Sequence, residues 1–158
     1  MFMILRATGG VLLALGAVFA TAGVAAARKP EIYQSAPTQQ ATRLAVGGFD
    51  TVAYHTQRFP VPGSAAFRVG WKGAEWRFSS AENRDLFVKA PGKYAPQFGG
   101  YCAYAVAFGA TAPGDPRVFT LVGDKLYLNL NKEVQSSWAR NREALIRKAE
   151  KNWPGVLK

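Results

Sequence analysis

The stretch AAFRVGWKGAEWRFSS, residues 65–80, decides the architecture. Phe67, Val69 and Trp71 recur at every second position, and Ala74, Trp76 and Phe78 do the same beyond Lys72-Gly73. Period-two spacing puts these six side chains on one face of an extended chain, and the glycine-containing pair between the runs is a hairpin turn. The expected register sets Trp71 opposite Ala74, Val69 opposite Trp76 and Phe67 opposite Phe78. Ser79-Ser80-Ala81-Glu82 then fits an S-x-x-E capping box. It predicts a short helix from about Ser80 to Lys89, with Leu86 and Phe87 inward and Pro91-Gly92 as its stop.

Working outward, VFTLVGDKLYLNL repeats the hairpin pattern, with Gly123-Asp124 as the turn, Leu121 facing Leu126 and Phe119 facing Leu128. Asn131 then caps one terminal helix on which Val134, Trp138, Leu145, Ala149 and Trp153 recur at helical spacing, ended by Pro154-Gly155. Before the first hairpin, VGGFDTVAYHT reads as a glycine turn and a short extended run. Between the hairpins, YCAYAVAFG reads as a short buried strand, a helical turn being the alternative that periodicity leaves open. No internal repeat is present. The fold class is α+β: a small single domain, residues 46–158, with two antiparallel β-hairpins, a short capped helix and a C-terminal amphipathic helix.

The N-terminus carries Arg6, an apolar run of small and aliphatic residues, and Ala25-Ala26-Ala27. This is the pattern of a signal peptide, residues 1–27, and it places the mature chain in the periplasm or outside the cell; an uncleaved membrane anchor is the alternative. No cysteine lies at the cleavage site, so a lipid-modified N-terminus is not expected. Residues 28–45 are polar with little periodicity and read as a flexible lead-in. The formal charge is +10, and removal of Arg6 alone would leave +9. Outside the cytoplasm that balance points away from nucleic acid and toward anionic membrane surfaces, acidic partners or simple solubility.

Cys102 is the only cysteine and His55 the only histidine. A single thiol in an exported chain has three readings: a ligand, a reactive group or intermolecular disulfide linking a homodimer, or a small apolar core residue. Gly99 and Gly100 just before it permit close approach of a ligand to the backbone. Tyr101 and Tyr104 flank the thiol and would complete the ligand-binding set. Cys102 with His55 is the one nucleophile-and-base pair the chain can build, Asp50 or Asp115 being available to orient the imidazole. The same two side chains are a soft donor pair suited to Cu(I) or zinc, although too few for a closed site. Tyr54, Tyr127, Trp71 and Trp76 either line a pocket for a planar ligand or fill the core. Paired carboxylates at catalytic spacing, a phosphate-binding glycine loop, a Ser-His-Asp motif and C-x-x-C are all missing.

The segment WRFSSAENRDLFVKAPGKY, residues 76–94, resembles the signature F-C-S-x-x-C-x-x-x-F-x-x-x-P-x-K-Y of the YHS domain family, matching at Phe78, Ser80, Phe87, Pro91, Lys93 and Tyr94. That family's cysteines are thought to bind metal, copper being the candidate. Here Ser79 and Asn83 occupy two cysteine positions, and Ala53 occupies the third, in a D-P-V-C-like segment that retains Asp50 and Val52. From Val46 to Pro154 the chain is similar to a subgroup of exported YHS proteins, some with selenocysteine, on the motifs GGFDTVAY, SSAENRDLF, GGYCAYA and LYLNLNK. The resemblance implies the Cys102 position for selenium. The resulting expectation is an exported binding module holding a small ligand or soft metal ion near Cys102. The alternatives are a thiol-dependent redox protein and an envelope partner-binding protein with no chemistry.

Overall fold

A computed structural model describes residues 27–35 and 43–158. The expected signal peptide lies outside the described residues, apart from Ala27. The elements are α1 (Thr51–Thr56), β1 (Ser64–Trp71), β2 (Ala74–Phe78), α2 (Ala81–Lys89), α3 (Pro91–Tyr94), α4 (Ala103–Ala107), β3 (Asp115–Val122), β4 (Lys125–Asn129), α5 (Lys132–Ala139) and α6 (Arg142–Asn152). They form an α+β domain with two separate two-stranded antiparallel sheets, β1-β2 and β3-β4. No helix among the described residues is long and apolar enough to cross a membrane.

Both hairpins take the expected register at their turns, Trp71 facing Ala74 and Val69 facing Trp76 in the first, Leu121 facing Leu126 and Phe119 facing Leu128 in the second. Lys72 and Gly73 both have positive φ, 48° and 74°, as the tight turn that matches strand twist requires. Away from the turns both ladders slip: Phe78 pairs with Ser64 rather than Phe67, and Asn129 pairs with Asp115. The irregularity leaves Phe67 half-buried against the core instead of opposite Phe78.

Four local expectations are corrected. VGGFDTVAYHT is not extended; it forms α1, whose N-terminus is capped by Asp50 through the amides of Val52 and Ala53 at 2.9 and 3.2 Å. Thr51, Val52, Ala53 and Tyr54 are all buried, so no polar face marks the helix in sequence. YCAYAVAFG is likewise not a strand: Tyr101 and Cys102 make isolated bridges and Ala103–Ala107 is α4, with Ala103, Val106 and Ala107 buried. In α2 Phe87 is buried as expected, but Leu86 is exposed, and the cap is Ser80, accepting from the Asn83 amide at 3.1 Å. The terminal helix is two helices, α5 and α6, broken at Arg140-Asn141, where Asn141 has φ −141° and ψ 40°.

The core has two parts that meet at β4. Leu126 and Leu128 point into a cluster with Val52, Tyr54, Trp76, Phe78 and Phe87, while Tyr127 points the other way, toward Val106, Trp138, Leu145, Ala149 and Leu157. Alternation along one strand therefore seals both clusters. The stretch read as a lead-in is built into the domain where it is described: Ile32 is 2 % exposed in the first cluster, and the amides of Lys29 and Tyr33 donate to the carbonyls of Leu157 and Gly99.

Candidate functional site around Cys102

Cys102 sits where the chain leaves the Gln97–Gly100 turn and enters α4. Its backbone N–H donates to the Ala112 carbonyl at 2.9 Å, and the residue bridges Leu128 of β4. The thiol is 1 % exposed and donates to Asn129 Oδ1 at 3.6 Å. Asn129 is itself fully buried at the end of β4, and its Oδ1 also accepts from the Tyr104 amide at 3.4 Å. Its Nδ2 has no partner among the described residues. Asn129 was missed in sequence because it closes a strand twenty-seven residues away, and only the fold brings it to the sulfur.

On the side where a Cβ would stand, both glycines already have neighbours from the chain itself, although Gly99 also lines a hollow with Glu31, Trp71 and Trp153. Gly99 has φ +61°, and a Cβ there would overlap the carbonyl oxygen of Glu31, so the chain's own N-terminal segment fills the approach. Gly100, φ +84°, is packed against Pro96 and Leu128. Tyr101 anchors that segment, its hydroxyl donating to the Pro30 carbonyl at 2.9 Å and its ring meeting Tyr33 edge-on at 5.3 Å. Burial, and then Tyr33, push its hydroxyl pKa up. Tyr104 is half-buried and packs on Phe108 at 4.9 Å. Tyr54, Tyr127 and Trp76 are core, and the Tyr54 hydroxyl donates to the Pro116 carbonyl at 2.7 Å. An intermolecular disulfide would require Cys102 to leave this packing.

Nor does the fold join Cys102 to His55. His55, in the last turn of α1, lies edge-on to Tyr94 at 5.4 Å, and its buried Nε2 has no partner among the described residues. Burial lowers its pKa, with Asp124 opposing and Lys93 and Arg58 reinforcing. The imidazole is therefore neutral at neutral pH. Asp50 is spent capping α1, and Asp115 Oδ1 accepts from the Arg117 amide at 2.8 Å; neither is bonded to the imidazole. Among the described residues no group of three or more histidine, cysteine or acidic side chains is placed to hold a metal ion.

Ala53, Ser79 and Asn83, the three positions at which the YHS signature would place cysteine, do come together in space, around the buried Asp50. Asp50 Oδ1 accepts from the amides of Val52 and Ala53. Its Oδ2 accepts from the Ser79 amide at 2.8 Å, Ser79 Oγ at 2.6 Å and Asn83 Nδ2 at 2.7 Å. Hydroxyl and amide donors committed to a carboxylate do not make a soft-metal site, so these residues do not fit copper.

No protein-family model matches this chain, and neither does any curated protein or solved structure.

Proposed function

We propose that this chain is an exported YHS-type binding module that meets its partner at its surface, with Cys102 serving as a core residue rather than as a reagent. The observation that carries the reading is the thiol's surroundings: 1 % exposure, a hydrogen bond to Asn129, and a neighbouring Gly99 whose side-chain position is already filled by Glu31. A nucleophilic cysteine needs access and a neighbouring positive charge or base. His55, the only histidine, is held instead against Tyr94. The convergence of Ala53, Ser79 and Asn83 on one carboxylate supports the YHS resemblance, and the hydroxyl and amide donors there argue against a soft-metal site at those positions.

Alkylation of the native protein with iodoacetamide, timed against the urea-unfolded chain, separates a core thiol from a reactive one. A core thiol reacts only through opening of the fold, far more slowly than the unfolded one. Reaction at the unfolded rate overturns the proposal and returns the redox reading.

A further inference from the structure

Phe108 follows α4 and is 61 % exposed, although Val106 and Ala107 immediately before it are buried. Its surroundings are cationic. Lys148 Nζ lies 5.8 Å from the Phe108 ring centroid, and Lys151 lines the same shallow hollow with Gly109 and Asn152. From the N-terminal segment, Lys29 Nζ donates to Thr111 Oγ1 at 2.9 Å. Three ammonium groups from two distant parts of the chain thus surround one uncharged loop, whose outer residues Phe108, Gly109 and Ala110 are exposed. Glu150, between the two lysines of α6, is engaged by Lys125 at 3.5 Å.

The loop stands on a fixed base. Asn152 Nδ2 donates to the carbonyls of Val106 and Ala107 at 2.9 and 3.2 Å, and the Gly109 and Ala110 amides donate back into α4 at 3.0 Å. An aromatic side chain held outward among cations matches an anionic bilayer interface, where the ring enters the headgroup boundary and the ammoniums meet phosphates. Phe59 is the internal contrast: it is 64 % exposed, and its sequence neighbour Arg58 is the one cation beside it in the chain.

We infer that the Phe108–Thr111 loop, with Lys29, Lys148 and Lys151, docks this basic chain on an anionic phospholipid surface. The inference rests on the reading of the chain as a surface-binding module. The test is hydroxyl-radical footprinting of the full chain with phosphatidylglycerol vesicles, phosphatidylcholine vesicles or soluble polyglutamate, reading Phe108 and Phe59 by mass spectrometry. With phosphatidylglycerol, Phe108 loses most of its modification and Phe59 keeps it; with phosphatidylcholine both keep it. In the Lys148→Glu/Lys151→Glu variant, altered at two exposed positions, the protection of Phe108 is lost. Equal protection of both rings, no protection of Phe108, or protection that survives the double variant overturns the inference. Protection by polyglutamate equal to that by vesicles overturns it too, assigning the loop to an acidic macromolecule. Cys102 alkylation, measured on the same samples, reports separately on the reading of the thiol as core.

Discussion

Asn83 Nδ2 donates to Asp50 Oδ2 at 2.7 Å, which ties the first turn of α2 to the start of α1 across thirty-three residues. With Ser79 on the same oxygen and two α1 amides on the other, a fully buried carboxylate holds both helices to the end of β2. Removing the carboxylate strands its donors in the interior. Asp50→Ala is expected to cost about 3–5 kcal/mol, as breaking a buried charged network does, and Ser79→Ala only about 1 kcal/mol. Urea unfolding midpoints check this, and equal losses in the two variants would show that Asp50 is not the hub.

The Gly99 position is filled by Glu31, and its φ of +61° is unsuited to a side chain. Gly99→Ala is expected to expel the 29–35 segment and to cost more than the roughly 1 kcal/mol of a left-handed alanine in open space. Gly109→Ala, at φ +75° with nothing nearby, supplies that reference. Limited proteolysis near Tyr33 is the readout: faster cleavage in the Gly99 variant alone supports the packing, and unchanged cleavage contradicts it.

His55 carries the pH dependence. Its folded pKa lies below its unfolded value of about 6.5, chiefly through burial, so the unfolded chain binds the proton more tightly. The stability this contributes is present above about pH 6.5 and falls away as pH drops below it. The denaturation midpoint should therefore decline more between pH 7 and pH 5 in the parent than in His55→Phe. Parallel declines would place the pH sensitivity elsewhere.

Copper supplies a fourth test. With Ala53, Ser79 and Asn83 in place of thiols and Cys102 buried, competition titration with Cu(I) should give the same weak background for the native chain and for Cys102→Ala. Tight binding that disappears in the variant would instead restore a soft-metal site at the thiol.

Much of the fold was legible in the residues. The hairpin turns at Lys72-Gly73 and Gly123-Asp124, their inner-face pairs, and the Asn131 cap all depend on neighbours within a few positions, where period and turn chemistry act directly. α1 was not legible as a helix, and α4 was legible only as the alternative to a strand, because a helix of five or six residues buried over most of its surface shows no amphipathic period.

What only the tertiary structure decided is which distant groups share a place. Sequence alone named Cys102, Gly99 and His55, and the resemblance to the YHS signature marked Ala53, Ser79 and Asn83 as its substituted positions. Packing then set Asn129 against the thiol, Glu31 against the glycine, Tyr94 against the imidazole and Asp50 among the substituted positions. A local pattern states what a side chain is able to do. Whether it does so depends on which partner the rest of the chain brings to it, because a buried polar group takes whatever hydrogen bond the packing leaves within reach.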